Sequence, residues 1–171
     1  MQINKRDYDP KLHEAFKALT VKQPYADLLT RVTGRYEDGT FFADKRIEVR
    51  SKPTKFRGDI LVCSSAKPVL PGHESAVTCG FVEIYGIKPV AEFTAEDWAA
   101  TCIPEGDRPT SGWGWLVRNP RRVVEMPIRG QLGIYNLIVP KDDITVYPQH
   151  LMLDSDGFAK VLSKVVNVTN K

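Results

Sequence analysis

Short apolar runs separated by glycine and proline dominate the chain between residues 46 and 139. The run from Asp59 to Ser64 follows Gly58 and is continuously apolar over Ile-Leu-Val-Cys, which predicts a fully buried strand. A chain of many short strands with few helices predicts an α+β fold of the barrel type. Further strands are expected at 76–93, 113–117, 123–128 and 133–139.

Helices are expected in three places. Apolar residues recur at helical spacing over 11–19 and again over 25–32. Thr94 suits the N-cap of a third helix, because Glu96 and Asp97 follow in its first turn. The segment 34–42 has the composition of a loop or a hairpin tip, and the tail 158–168 fits a helix or a strand equally well.

Composition limits the class of protein without naming a partner. The 171 residues, 42% of them hydrophobic, suffice for one domain with a core, and the net charge of +3 is too small to indicate a partner. The polar start and the lack of a long apolar run predict a cytoplasmic protein without a membrane segment. The three cysteines are widely spaced, so we expect reduced thiols, no metal and no cofactor.

The segment from Arg46 to Arg50 alternates strictly between charged and apolar residues, which predicts a half-buried strand. Glu48 and Arg50 then share one face, where a carboxylate and a guanidinium suit a base edge and a phosphate. Lys45, at the start of the strand, is a candidate phosphate contact, or a base if burial lowers its pKa. The alternative is that Glu48 and Arg50 pair with each other or with solvent, and that Lys45 is solvated.

Other candidate binding residues have equally plain alternatives. Lys22 and Gln23 precede Pro24, where the backbone amides at the start of a helix can receive an anion. The alternative is a helix start without a ligand. Trp113 is a possible stacking platform, although aromatic residues more often pack in the core. Ser64 and Ser65 end the buried strand and are candidates for the pocket floor. The remaining candidates are the basic residues Arg57, Arg118 and Arg121, for which the alternative is that they are ordinary charged residues in turns.

Five segments in order resemble the ASCH domain, a member of the PUA-like β-barrel superfamily. The family hallmark is Gly-x-Lys-x-x-Glu-x-Arg, and the chain has it from Ala43 to Arg50 with alanine in place of the glycine. The loop before the hallmark, 34–42, is longer than the family pattern. The five matching segments are 19–29, 45–50, 57–62, 115–122 and 127–130.

The resemblance implies a PUA-like barrel with flanking short helices, in which Lys45, Glu48 and Arg50 line a pocket that binds nucleic acid. Some small members of the family remove the acetyl group from acetylated cytidine with a lysine, a threonine three residues later and a distant glutamate, which no motif assigns in this chain. Lys45 matches that lysine, but Glu48 stands at the threonine position. This departure favours binding over hydrolysis.

Three functions therefore remain open. The first is binding of RNA, other single-stranded nucleic acid or a nucleotide in a basic cleft. The second is a metal-independent hydrolase, acting on a modified nucleoside or on RNA phosphodiesters, with Lys45 and Glu48 as catalytic residues. The third is a protein-interaction adaptor whose cleft is filled by the 34–42 loop. The expected organisation is a helical N-terminal extension at 1–18, the domain at 19–140 and a packed C-terminal extension at 141–171.

Overall fold

The computed structural model of the protein describes residues 1–153. Its strands are β1 (His13–Val21), β2 (Val32–Arg35), β3 (Phe41–Ala43), β4 (Ile47–Arg50), β5 (Gly58–Ser64), β6 (Thr78–Pro89), β7 (Trp113–Arg122) and β8 (Ile134–Pro140). Its α-helices are α1 (Tyr25–Thr30), α2 (Ala95–Thr101) and α3 (Gln149–Met152), and short 3₁₀ turns lie at Lys5–Asp7, Val90–Glu92 and Glu105–Asp107.

Six of the strands form one sheet in the order β4-β7-β6-β5-β1-β8. The pair β1 and β5 is parallel, and the other neighbours in the sheet are antiparallel. The sheet is strongly curled into a half-barrel, and short helices flank it. The expected α+β fold of the PUA-like barrel type is therefore confirmed.

Strand β5 is buried on both faces, as its continuous apolar run predicts. Ile60 and Val62 pack in the core cluster that includes Ala26 and Leu29 of α1. The next residues along the strand point the other way, as the two-residue period of a strand requires, so Leu61 and Cys63 pack in a second cluster with β8. The curled sheet thus has one core under α1 and another on its opposite face.

The helix predicted over 11–19 is wrong, and with it the helical character of the extension at 1–18. Residues His13–Val21 form β1, which pairs with β5 on one side and with β8 on the other. The apolar spacing in this segment fits a helix locally, but two rows of backbone hydrogen bonds to distant strands outweigh that preference. The domain boundaries at 19 and 140 stay a prediction.

Three other expectations can be compared with the structure, and one of them is wrong. The strand predicted at 123–128 is wrong, because this segment makes only isolated bridges, at Val123 and at Pro127. The 34–42 segment is confirmed as the tip and arm of a hairpin, formed by β2 and β3. The third helix is confirmed as α2, where Thr94 forms a capping box with Asp97. The tail at 158–168 lies outside the described residues.

Candidate functional site

The segment before β4 is held between two helices. The backbone N–H of Lys45 donates to the carbonyl of Leu28 in α1 at 3.1 Å, and that of Arg46 donates to Ala100 in α2 at 2.8 Å. Strand β4 then pairs with β7, which places Glu48 opposite Trp115 and Arg50 opposite Trp113. These backbone contacts on both sides fix the backbone positions from which the side chains of Lys45, Glu48 and Arg50 project.

The Lys45 side chain is buried, with 1% of its surface exposed. Its Nζ donates to the carbonyl of Thr101 at 2.6 Å, at the end of α2 where carbonyls lack helical partners. The same atom lies 3.3 Å from Oε2 of Glu48 and 4.8 Å from the ring centroid of Tyr25. Burial lowers the pKa of Lys45 from its ordinary value of 10.5, although the Glu48 carboxylate opposes this effect.

Glu48 is almost as buried, with 7% of its surface exposed. Its carboxylate lies between two cations, with Oε2 at 3.3 Å from Lys45 and Oε1 at 3.5 Å from Arg50. Both contacts are longer than the ~2.7–2.9 Å of a strong charge-assisted hydrogen bond. Since an ionised carboxylate offers about four acceptor positions, Glu48 keeps acceptor capacity for a further donor.

Arg50 is the most accessible of the three, with 27% of its side chain exposed. Its guanidinium lies 5.6 Å from the ring centroid of Trp115, whose indole N–H donates to the carbonyl of Lys52 at 3.0 Å. The backbone of Arg50 packs closely on Gly112, where an added Cβ would lie 2.8 Å from its carbonyl oxygen. The Arg50 side chain thus packs on an indole that is itself hydrogen-bonded, and the Arg50 backbone packs on a glycine.

A cleft of about 350 Å³ opens beside Glu48 and Arg50. Tyr25 contributes a half-buried ring to its wall, and burial together with the carboxylates of Asp107 and Glu48 raises the pKa of its phenol. Lys22 supplies an exposed ammonium group. The cleft therefore combines an acceptor, two cations and an aromatic ring. Its lining residues are Thr20, Val21, Lys22, Tyr25, Glu48, Arg50, Ser65, Gln131 and Leu132.

Lys45 lies behind this cleft rather than in its wall. It lines a separate cavity of about 540 Å³ beside the β2–β3 hairpin, together with Phe41, Phe42 and Arg46. Two other cations around that cavity have partners of their own, since Nζ of Lys88 binds Asp97 at 2.6 Å and Arg118 binds Glu83 at 2.9 Å. The alternative that Lys45 is a solvated lysine is therefore wrong, because only 1% of its surface is exposed.

Two of the residues expected in the cleft have side chains that are buried and hydrogen-bonded within the protein. The amide group of Gln23 is buried, donates to the carbonyl of Glu74 at 2.9 Å and accepts from the N–H of Asp27 at 3.1 Å. Ser64 is fully buried, and its hydroxyl bonds the backbone of Val77. The placement of Ser64 at the pocket floor is thus wrong, because the strand turns that side chain inward and Ser65 lines the cleft instead.

The basic candidates outside both the hallmark and the cleft each bind a partner within the protein. Arg118 makes two hydrogen bonds to Glu83, at 2.9 and 3.1 Å, and Arg121 makes two to Asp59, at 3.0 and 2.6 Å. Both lie within β7 and not in the charged turn that their sequence resembles. Arg57 donates to the carbonyls of Thr54 and Phe56, and Trp113 packs half-buried against the core.

Several cleft residues escape sequence reasoning. Tyr25 had a signal, since it follows Lys22 at the junction where β1 turns into α1 and lies within a matching family segment. Gln131 and Leu132 reach the cleft from the loop before β8, and nothing in their local sequence indicates this approach.

Neither a metal centre nor a membrane span is found in the part of the chain that the structure describes. Within residues 1–153, no group of three or more His, Cys, Asp or Glu side chains could hold a metal ion. No helix in this range is long and apolar enough to cross a bilayer.

Comparison with known proteins identifies the family. The ASCH domain matches residues 19–127, a range that contains α1, the hallmark strand β4 and all of β7. A search of curated proteins gave no match. The matched range covers well over half of the 171 residues and includes most of the cleft. The chain therefore belongs to the ASCH domain family.

Proposed function

We propose that this protein binds RNA or other single-stranded nucleic acid, with one base held in the cleft between Tyr25, Glu48 and Arg50. The observation that carries the proposal is the cleft itself, where a nearly buried carboxylate, an aromatic ring and two cations face one small space. Its volume of about 350 Å³ lies at the lower end of the range for small-molecule sites, about 300–1,000 Å³. Such a space suits a single splayed-out base better than a double helix.

The charges around the cleft fit a polyanion that carries a base. Lys22 is exposed and suits a phosphate, which an ammonium group binds as a point charge. The Tyr25 ring offers an aromatic surface to a base, and such stacking is tolerant of sequence. Glu48 and Arg50, anchored more deeply, suit the polar edge of that base.

The contacts of Lys45 favour binding over hydrolysis. A protonated lysine has three N–H donors, and Lys45 has a carbonyl, a carboxylate and an aromatic ring around its Nζ. A general base needs to reach the substrate proton, whereas this side chain lies behind the cleft. In the binding proposal Lys45 is a buried counter-ion that holds the Glu48 carboxylate in place.

The adaptor alternative required the 34–42 segment to fill the cleft. Among the described residues, those that line the cleft come from elsewhere in the chain. The hairpin instead borders the cavity that contains Lys45. An open cleft with accessible charges is the arrangement expected of a binding site.

Fluorescence anisotropy with labelled single-stranded oligonucleotides tests the proposal. We expect Arg50→Ala to weaken binding about tenfold, because it removes a fork of donors from the cleft. Lys22→Ala should reduce the slope of log affinity against log salt by about 1, as for one lost phosphate contact. Arg118→Ala is the matched control, since it removes the same charge from a side chain that pairs with Glu83 outside the cleft.

Absence of binding at low salt by the wild-type protein would overturn the proposal. Equal losses for Arg50→Ala and Arg118→Ala would also contradict it, because they would show general attraction to a basic surface. Thermal unfolding of each variant separates a lost contact from a lost fold.

A further inference from the structure

We propose that the cleft selects a guanine base, which Glu48 and Arg50 read together. The inference rests on the proposed function, since it names the base that the same cleft holds. It starts from the acceptor capacity of Glu48, a side chain that is nine-tenths buried yet contacts its two cations only at 3.3 and 3.5 Å. A buried polar group with unused capacity is costly unless a partner supplies the missing hydrogen bonds.

The order of groups along the site resembles the complement of one base edge. Oε2 of Glu48 lies toward Lys45, Oε1 lies toward Arg50, and the Arg50 guanidinium follows at 3.5 Å. This arrangement presents two adjacent acceptors and then a donor. The Watson–Crick edge of guanine presents two adjacent N–H donors, on N2 and N1, and then the O6 acceptor.

The other bases match this order less well. Adenine and cytosine each place a ring-nitrogen acceptor beside their amino group, so one carboxylate oxygen would face a lone pair. Uracil has a single N–H between two carbonyl oxygens, so one carbonyl would face a carboxylate oxygen and repel it, even though the other could accept from Arg50. Lone pairs set against each other in a desolvated site disfavour binding, which is how such sites reject the wrong base.

The neighbouring hydroxyl groups leave this selection to Glu48 and Arg50. The Ser65 hydroxyl donates to the carbonyl of Lys67 at 2.5 Å. The Thr20 hydroxyl is bonded to that of Tyr135 at 3.1 Å. Because these two hydroxyl groups already have partners in the fold, they compete less with the carboxylate and the guanidinium for the edge of a base.

Affinity for a short U-rich single strand with one varied central base tests the inference. The central base is guanine, hypoxanthine (the base of inosine), adenine, cytosine or uracil, and all five strands carry the same phosphates. We expect guanine to bind about tenfold more tightly than uracil, the scale of one good bidentate contact. Inosine, which lacks only the N2 amino group, should lose most of that advantage.

Variants assign the preference to the carboxylate. Glu48→Gln replaces one acceptor with a donor, and Glu48→Asp keeps the negative charge beside Lys45 but withdraws it by one methylene. Both should bring the ratio of guanine to uracil affinity close to one. Glu83→Gln is the matched control, since Glu83 pairs with Arg118 outside the cleft, and it should preserve the ratio.

The outcomes separate the inference from the proposed function. Equal affinity for the five strands would overturn guanine selection while leaving single-strand binding intact. A guanine preference that survives both Glu48 substitutions would overturn the role of the carboxylate. Absence of binding by all five strands at low salt would overturn both.

Discussion

Two buried carboxylates of this protein differ in how fully their hydrogen bonds are satisfied. Asp27 in α1 has 1% of its surface exposed and accepts from Arg122 at 2.7 Å, from Arg31 at 2.9 Å and from His73 at 2.7 Å. Glu48 has 7% of its surface exposed, and its carboxylate oxygens lie 3.3 Å from Nζ of Lys45 and 3.5 Å from the Arg50 guanidinium. Asp27 is enclosed by its partners, whereas Glu48 lines an open cleft.

The difference shows how a structural ion pair is told from a binding group. The Asp27 partners come from β7, from the loop before β6 and from the end of α1, so the carboxylate joins three parts of the fold. Arg122 is itself buried, with 8% of its side chain exposed, and also bonds Thr30 and Glu125. A network with satisfied members stabilises a fold, and a carboxylate with spare acceptors suits a ligand.

Asp27→Asn should have the largest effect on stability. It breaks a buried pair and leaves Arg122, which cannot lose its proton, without its main counter-ion, so we expect a loss of about 3–5 kcal/mol. Glu48→Gln should cost below about 2 kcal/mol, because burial already lowers the pKa of Lys45 and that group can become neutral. Urea unfolding of the two variants measures both losses. Equal losses would contradict the distinction.

Acid should reproduce part of the Asp27 effect. Burial alone would raise the pKa of Asp27, but Arg122, His73 and Arg31 outweigh it and lower the pKa below its ordinary value of 3.8. The unfolded chain then binds the proton more readily, so this contribution is complete above pH 3.8 and is lost as the pH falls through the lower folded-state pKa. Protonation resembles the asparagine substitution, which sets the upper limit of the loss.

Unfolding free energies measured at a series of acidic pH values check this prediction. The wild-type protein should lose stability more steeply than Asp27→Asn, because the variant no longer has the titrating group. Parallel curves for the two proteins would show that the Asp27 network does not control the acid limb.

Tyr25→Leu should cost less stability than Asp27→Asn, and its main effect should be on binding. Removal of a stacking surface costs about 1–3 kcal/mol per base, so affinity for a single strand should fall about tenfold. Tyr25→Phe keeps the ring and should retain most of the affinity. Tyr85→Leu is the matched control, because Tyr85 is an exposed tyrosine on β6 that packs with Arg118 away from the cleft. An equal loss for Tyr85→Leu would argue against stacking in the cleft.

The sequence allowed local features of the fold and the site to be predicted. Strand alternation correctly placed Glu48 and Arg50 on one side, and the apolar run of β5 indicated a buried strand. Strand pairings between distant segments could not be predicted from the local sequence pattern. The apolar spacing of strand β1 predicts a helix locally, and the strands that make it a β-strand, β5 and β8, lie more than 35 residues away along the chain.

The same limit applies to the charged residues. The run at 118–122 suggests a basic patch, but Arg118, Arg121 and Arg122 each meet a carboxylate from a distant part of the chain. Whether a cation is free or paired depends on such contacts, which local sequence does not encode. Burial of Lys45 follows from the packing of α2 over it, through the carbonyl of Thr101.

The central claim is that a base enters the cleft beside Glu48 and Arg50. Backbone amide chemical shifts of ¹⁵N-labelled protein, followed by NMR during titration with a single-stranded oligonucleotide, test it most directly. The account predicts that the largest shifts fall on Tyr25, on 48–50, on Ser65 and on 131–132. Shifts concentrated at 118–121, with the cleft residues unchanged, would contradict it.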